Sequence, residues 1–159
     1  MRIYFLRHGR ALPRTEWKGD DAERPLSAEG AEAMEREGQA IARLDLAPDA
    51  IITSPLARAE RTAEIVATHL DMRGRLARDE RLAPGFGAKQ LAEIVRENPE
   101  ATALMLVGHE PDFSTIISAL IGGGDVACRK GGLARVDLTD SSAKRGQLVW
   151  LIPPSALTL

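Results

Sequence analysis

The sequence is poor in cysteine: Cys128 is the only thiol among 159 residues. One cysteine excludes an internal disulfide and a cysteine-based metal site, so we expect Cys128 to be a packed or partly exposed thiol and not a nucleophile. Aromatic residues make up only 4% of the chain, and no apolar run approaches the length of a transmembrane helix. A secretory signal pattern is also missing, and we therefore predict a cytoplasmic location without a membrane partner.

An excess of either charge is lacking as well, since 21 Lys and Arg residues face 23 Asp and Glu residues for a net charge of −2. This near-balance gives no overall electrostatic argument for nucleic acid as a partner, although a local basic site is possible. With 44% hydrophobic and 28% charged residues, the composition is typical of a globular protein. We interpret residues 1–159 as a single domain with a substantial core.

Short apolar runs alternate with helical patterns along the chain. Predicted strands cover Ile3–Leu6, Ala50–Thr53, Ala103–Val107, Leu133–Leu138 and Gln147–Ile152, with an edge strand at Arg78–Leu82. Predicted helices begin at Ser27, at Ser54-Pro55 as N-cap and first residue, at Gln90, and after Pro111. The polar segment from Ala11 to Pro25 is predicted to be a loop of functional length. This alternation around one core predicts a three-layer α/β sandwich.

The first predicted strand ends in Arg7, His8 and Gly9, and packing alone does not explain a cation and an imidazole there. Glycine permits a tight turn and the close approach of a ligand. The strand that begins at residue 103 is likewise followed by a glycine and His109. Ligands of open α/β sheets sit outside the carboxyl ends of the strands, so both histidines are placed to meet one. The third histidine, His69, has neither context, and we expect it on a helix surface.

Arg58 falls in or just after the first turn of the helix that follows the second strand. A cation there opposes the positive end of the helix dipole, and an anion bound at the helix N-terminus removes the mismatch. Two histidines at equivalent strand ends and two arginines nearby therefore predict a phosphate site. Its members are Arg7, His8, Arg58 and His109.

Three blocks of the sequence resemble the signature blocks of the histidine phosphatase superfamily, also called the phosphoglycerate mutase-like group. These blocks are Arg7-His8-Gly9, Ser54-Pro55-Leu56-Ala57-Arg58-Ala59 with Thr62-Ala63, and Val107-Gly108-His109. The short chain and the run Arg24-Pro25-Leu26-Ser27-Ala28-Glu29-Gly30 are similar to the SixA-type phosphohistidine phosphatase branch. The resemblance implies a three-layer α/β/α sandwich with a mixed, mostly parallel central sheet, and a phosphatase that needs no metal or other cofactor.

The resemblance implies that His8 is the nucleophile that accepts the phosphoryl group, while Arg7, Arg58 and His109 form the phosphate pocket. A neutral imidazole suits this role because its ordinary pKa is about 6.5 and its second nitrogen can be fixed by a hydrogen bond. Bidentate guanidinium groups suit the equatorial oxygens of a loose phosphoryl-transfer transition state. We expect His109 to contribute most when it is protonated, since a phosphate dianion beside it raises its pKa.

Three further residues are candidates for contact with phosphate or substrate. The resemblance points Arg24 toward the pocket, and Gly9 belongs to the block that carries the nucleophile. Ser54 can donate a hydrogen bond to phosphate, but we expect its main role to be that of helix N-cap.

Many members of the family place a carboxylic acid after the third strand to protonate the leaving oxygen, and alignment on Leu82 puts Pro84 at that position. Glu80 and Glu110 are possible substitutes. An alkoxide leaving group, whose conjugate acid has a pKa of about 15.7, needs such an acid far more than an imidazole, whose pKa is about 6.5. The sequence therefore predicts removal of phosphate from a phosphohistidine on another protein, with inorganic phosphate as the product.

Two other functions are compatible with these residues. One is a phosphomonoesterase for a small phosphorylated metabolite, with Glu80 or Glu110 as the general acid. The other is a non-catalytic domain that binds phosphate or a phosphoprotein, which the presence of His8, both arginines and His109 disfavours. Mutase activity is less favoured, because it requires holding a sugar-acid substrate for return transfer.

Overall fold

The computed structural model describes residues 1–158, which contain one six-stranded sheet with helices on both faces. The strands are β1 (Arg2–Arg7), β2 (Ala50–Thr53), β3 (Leu76–Arg78), β4 (Ala103–Gly108), β5 (Leu133–Leu138) and β6 (Gly146–Ile152). The helices are α1 (Ala28–Ala42), α2 (Ala57–His69), α3 (Ala88–Glu97), α4 (Asp112–Leu120) and the short α5 (Pro154–Leu157). Single 3₁₀ turns cover Asp21–Glu23, Arg73–Arg75 and Glu80–Leu82.

The order of strands in the sheet is β3-β2-β4-β1-β5-β6. The β3–β2, β2–β4 and β4–β1 pairs are parallel, whereas β1–β5 and β5–β6 are antiparallel. This topology confirms the mixed, mostly parallel sheet and the final hairpin. Because β2, β4 and β1 are parallel neighbours, their carboxyl ends meet at one edge of the sheet.

The core lies on both faces of the sheet, and alternation along β1 shows the division. Ile3 and Phe5 pack with α3 and α4, while Tyr4 and Leu6 pack with α1 and α2. All four side chains are almost fully buried. The prediction of a strand buried on both faces at Ile3–Leu6 is therefore confirmed, and two helical layers cover the central strands.

The structure corrects the predicted edge strand at Arg78–Leu82. β3 ends at Arg78 after three residues paired with β2, and the chain then turns instead of continuing the strand. The Asp79 carboxylate accepts the backbone N–H of Arg81 at 2.9 Å and binds its guanidinium, which closes the 3₁₀ turn. This turn carries Leu82 into the core, where the expected strand would not have placed it.

Two helix starts also differ from the prediction. α2 begins at Ala57 with Leu56 as N-cap, and Ser54 lies two residues before the cap, where its hydroxyl accepts the backbone N–H of Leu56 and contacts His109. α3 begins at Ala88, two residues before the predicted start, and Gln90 accepts the backbone N–H of Gly87 at 3.2 Å. No helix within residues 1–158 is both long and apolar enough to cross a membrane.

Candidate functional site

A cavity of about 390 Å³ lies at the edge where β1, β2 and β4 end. The four residues of the predicted phosphate site all line it, although they are distant in sequence. The lining residues are Arg7, His8, Ala11, Arg14, Asp21, Arg24, Arg58, Pro84, His109, Glu110 and Lys130.

His8 follows β1 and is 7% exposed. Its Nδ1 lies 2.7 Å from the backbone carbonyl of Gly9, and because a carbonyl only accepts, Nδ1 carries the proton and Nε2 keeps its lone pair. Burial, followed by the nearby charges of His109, Arg58 and Arg7, lowers the pKa of His8 to about 3. The imidazole is therefore neutral at pH 7 and available as a nucleophile.

Arg7 and Arg58 are each anchored through one side of the guanidinium. Nη1 of Arg7 donates to the carbonyl of Cys128 at 2.8 Å. Nη1 and Nη2 of Arg58 donate to the backbone carbonyl and the carboxylate of Asp21 at 2.8 and 3.1 Å. Burial lowers the pKa of both guanidinium groups, so a bound anion would offset the cost of desolvating them. The Cys128 thiol is buried, and burial raises its pKa to about 12, as expected for a packed residue.

His109 follows β4 and pairs with Ser54 at the end of β2. Its Nε2 lies 2.6 Å from the Ser54 hydroxyl, which accepts the backbone N–H of Leu56 at 3.2 Å. The buried Ser54 hydroxyl has no other acceptor among residues 1–158, so we assign its proton to the bond with Nε2, which places the His109 proton on Nδ1. Burial and the charge of Arg58 lower the pKa of His109 to about 4. His109 is therefore neutral at pH 7 and offers a donor through Nδ1, and the expectation that a phosphate dianion raises its pKa stays a prediction.

Three buried nitrogen atoms of this cluster have no hydrogen-bond partner within residues 1–158. They are Nε of Arg7, Nε of Arg58 and Nδ1 of His109. Buried polar atoms in proteins are almost always paired, so three unpaired donors in one cluster indicate a site for a ligand with several acceptor oxygens. The His8 and His109 ring centres are 5.2 Å apart, which places the neutral imidazole of His8 beside these donors.

The other predicted site residues have different surroundings. Arg24 lines the cavity, where its Nε binds the Asp21 carboxylate at 2.8 Å and its Nη1 donates to Leu12 at 2.7 Å. The backbone N–H of Gly9 donates to the Thr62 hydroxyl at 3.1 Å, while its carbonyl holds His8. Ser54 contacts His109 and is not the N-cap of α2.

The two candidate general acids lie in different surroundings, and only one of them lines the cavity. Glu80 is exposed, pairs with Arg78 at 3.3 Å and does not line the cavity. Glu110 lines the cavity, and its carboxylate accepts the backbone N–H and the hydroxyl of Ser114 at 3.1 and 2.6 Å. Pro84 also lines the cavity. No group of three or more His, Cys, Asp or Glu side chains in the described part of the chain is arranged to hold a metal ion.

Sequence reasoning missed Asp21, Lys130 and the contacts of Thr62. Asp21 binds Arg24 and Arg58, and these arginines, with Arg24 first, lower its pKa. The sequence signal for Asp21 was the pair of adjacent acidic residues, Asp20 and Asp21, in the loop at 11–25. Such a pair does not indicate which arginine or lysine the Asp21 carboxylate binds. The Thr62 hydroxyl donates to the Arg58 carbonyl at 2.7 Å and accepts the backbone N–H of Gly9 at 3.1 Å. Lys130 reaches the cavity from the turn before β5, which no local pattern distinguishes.

The fold is a three-layer α/β/α sandwich in which two neutral histidines and two arginines meet at the carboxyl edge of the sheet, an arrangement suited to an oxyanion. The chain belongs to the histidine phosphatase superfamily (branch 1), whose family model matches residues 3–106. The resemblance stated from the sequence is thereby confirmed.

Known proteins resemble the chain in sequence and in fold. An uncharacterised protein of Picosynechococcus sp. is 36% identical over 125 residues, which cover 77% of this chain and 74% of that protein. The structure of the protein histidine phosphatase SixA complexed with tungstate matches with a TM-score of 0.87 at 22% identity, over 99% of both chains. The α-ribazole phosphatase from Shigella flexneri matches with a TM-score of 0.74 at 18% identity, over 97% of both chains. These likenesses confirm the predicted fold, and the family supports a hydrolase of this superfamily.

Proposed function

We propose that the chain is a protein phosphohistidine phosphatase that works through a phosphorylated form of His8. The observation that carries the proposal is the tautomer of His8, whose Nδ1 is fixed by Gly9 and whose Nε2 lone pair is free. His8 lines the same cavity as Arg7, Arg58 and His109, whose side chains carry the unpaired donors. A nucleophile beside several convergent donors suits phosphoryl transfer, which depends on positioning and charge stabilisation.

In the proposed reaction, Nε2 of His8 attacks the phosphorus atom and the P–N bond to the substrate imidazole breaks. Arg7, Arg58 and Nδ1–H of His109 hold the equatorial oxygens. Solvent protonates the second ring nitrogen of the substrate imidazole before the P–N bond breaks, so a neutral imidazole departs. Water then attacks the phosphorus of phosphorylated His8, which releases inorganic phosphate and restores the neutral imidazole. The phosphate dianion raises the pKa of His109, so that residue gains positive charge when the site is occupied.

Glu80, Pro84 and Asp21 provide no general acid in the cavity, and this favours a phosphohistidine over an alkyl phosphate. Glu80 lies outside the cavity, Pro84 occupies its wall, and Asp21 is held ionised by its arginines. A phosphohistidine releases an imidazole whose pKa is about 6.5, so it needs little help from an acid. The fold match to a protein histidine phosphatase is consistent with this substrate class.

One observation favours a second candidate function, a phosphomonoesterase for a small metabolite. Glu110 lines the cavity and lies on the same strand end as His109. In this alternative, Glu110 protonates the leaving alkoxide. A Glu110→Gln variant separates the two functions, because it would slow alkyl phosphate hydrolysis strongly and leave phosphohistidine hydrolysis within about threefold of the unmodified chain.

The test measures phosphate release from a protein phosphorylated on histidine with phosphoramidate, in parallel with an alkyl phosphate monoester. We expect hydrolysis of the phosphohistidine protein, loss of this activity in His8→Ala, and an acid-labile phosphoryl label on the unmodified chain that His8→Ala lacks. His69→Ala is the matched control, since His69 pairs with Glu35 at 2.8 Å between α2 and α1 and lies outside the cavity. Equal or faster turnover of the alkyl phosphate would contradict the proposal.

A further inference from the structure

A second and larger cavity, of about 710 Å³, adjoins the catalytic cavity. Ala11, Arg14, Arg24 and Lys130 line both of them. In the proposed reaction the phosphoryl group lies in the smaller cavity beside His8, so the larger one is available to the part of the substrate beyond phosphorus. We call this second cavity the basic groove, defined by Arg10, Leu12, Pro13, Arg14, Arg24 and Lys130.

The charges of the basic groove are not balanced within the protein. Arg10 and Lys130 form no ion pair within residues 1–158, and the Nε of the exposed Arg14 is 3.7 Å from Asp21. Glu16 and Glu29 also line the groove, but neither pairs with these cations in the part of the chain described. Burial and the charges of Arg7, Arg10 and Arg24 lower the pKa of Lys130. An anion in the groove would therefore relieve a crowding of positive charge.

We infer that the basic groove binds an acidic segment of the phosphohistidine-bearing protein, with carboxylates near the phosphohistidine pairing to Arg10 and Lys130. This inference rests on the proposed function and names the kind of substrate that reaches the same site. Leu12 and Pro13 add apolar surface beside the cations, which suits a peptide segment better than a second isolated phosphate. Charges at the rim of such a groove act mainly on the association rate and on specificity.

The inference is tested with two peptides that carry the same phosphohistidine. One peptide has Asp and Glu residues around it, and the other has Asn and Gln at the same positions. The measured quantity is the kcat/KM for the acidic peptide divided by that for the neutral peptide, at low ionic strength. A change that affects phosphoryl transfer from both peptides equally cancels in this ratio. We expect the acidic peptide to be preferred about tenfold, with most of the preference lost at 0.5 M salt because exposed charges are then screened.

Substitutions locate the preference in the groove. The double variant Arg10→Gln/Lys130→Gln is expected to reduce the ratio to within about twofold of unity. Arg96→Gln is the matched control, because Arg96 is exposed at the end of α3, forms no ion pair among residues 1–158 and does not line the groove, and it should keep the tenfold ratio. A ratio near unity in the unmodified chain, or an unchanged ratio in the double variant, overturns the inference.

Two further measurements separate this inference from the proposed function. Fluorescence anisotropy with the unphosphorylated peptides should show that the unmodified chain binds the acidic peptide more tightly than the neutral one. The double variant should bind the acidic peptide more weakly than the unmodified chain does. Both results are expected whether or not the chain hydrolyses phosphohistidine. Absence of that difference overturns the groove assignment even if phosphatase activity is found. Faster hydrolysis of a small bisphosphorylated compound than of either peptide would also overturn it, because the groove would then hold a second phosphate.

Discussion

The Asp21 carboxylate lies 3.1 Å from Nη2 of Arg58, and the Asp21 backbone carbonyl accepts Nη1 of the same guanidinium at 2.8 Å. This contact joins the loop after β1 to the start of α2. Asp21 also binds Arg24, so one carboxylate of the 11–25 segment fixes two arginines of the cavity. The loop therefore supplies the partner that orients Arg58.

The Asp21→Asn variant tests this positioning. We expect kcat to fall about tenfold, because Arg58 loses a charged partner and its orientation is less restricted. KM and the inhibition constant of inorganic phosphate should stay equal or fall, since the cavity gains one unit of net positive charge. The free energy of unfolding should change by less than about 1 kcal/mol, as is usual for ion pairs near the surface.

Asp20→Asn is the matched control for this variant. Asp20 is the adjacent acidic residue, and its carboxylate caps the backbone N–H of Ala22 without binding an arginine of the cavity. An asparagine retains that cap, so kcat and KM should be unchanged. A fall in kcat of the same size in both variants would show that the effect comes from the turn and not from the contact with Arg58.

The Ser54→Ala variant removes the hydroxyl that fixes the tautomer of His109. We expect kcat to fall about tenfold, because Nδ1 of His109 then carries its proton only part of the time. An unpaired Nε2 should also destabilise the fold by about 1 kcal/mol. Kinetic assays and ¹⁵N chemical shifts of the His109 ring measure the two consequences. Ser118→Ala, which removes an exposed bond to the Gly124 carbonyl, should leave the ring shifts and kcat unaltered.

The pH dependence of the reaction follows from the buried histidines. Burial lowers the pKa of His8 to about 3 and that of His109 to about 4, so both imidazoles stay neutral down to about pH 5. We expect kcat/KM, corrected for uncatalysed hydrolysis, to lose no activity to protonation of the nucleophile between pH 8 and 5. For a histidine with an ordinary pKa of about 6.5, the neutral fraction at pH 5 would be about thirtyfold lower than at pH 8. A loss of kcat/KM of that size would contradict this prediction.

The same two histidines make the fold sensitive to acid. Their pKa values are lower in the folded than in the unfolded chain, so the unfolded chain binds more protons below about pH 6.5. The free energy of unfolding is not reduced by these histidines above about pH 6.5. It decreases as the pH falls toward their pKa values in the folded chain, about 4 for His109 and about 3 for His8. Denaturant titrations of His8→Ala should show a smaller loss of stability between pH 6.5 and 4 than those of the unmodified chain.

Glu37 gives the opposite pH dependence. It is 6% exposed, its Oε2 has no partner within residues 1–158, and burial raises its pKa to about 7. Because the folded chain binds the proton more tightly, stability falls as the pH rises from about 4.5 to 7. Glu37→Gln should therefore be more stable than the unmodified chain by about 3 kcal/mol at pH 8 and nearly equal to it at pH 4.5.

Glu32→Gln is the control for Glu37→Gln, since Glu32 is exposed on the same helix, α1. It should change the free energy of unfolding by less than about 0.5 kcal/mol at both pH values. Equal unfolding midpoints of Glu37→Gln and the unmodified chain at pH 8 would show that burial of this carboxylate is not costly.

Local patterns were sufficient for the alternation of strands and helices. The apolar runs at Ile3–Leu6 and Ala103–Val107 lie within β1 and β4, and the spacing after Pro111 matches α4. Burial on two faces and helical periodicity are encoded in neighbouring residues, which explains these successes. The predicted edge strand at Arg78–Leu82 was wrong because a three-residue pairing at a sheet edge depends on the neighbouring strand β2 and on the side chain of Asp79, not on a local pattern.

By itself, the sequence determined the layered α/β class and which histidines and arginines stand at strand and helix ends, since those features are set by residues close in the chain. Only the tertiary structure decided that Asp21 orients Arg58, that Ser54 fixes His109 across 55 positions, and that Lys130 reaches the cavity. These contacts arise where separate strands and loops meet, and such meetings depend on the packing of the whole domain.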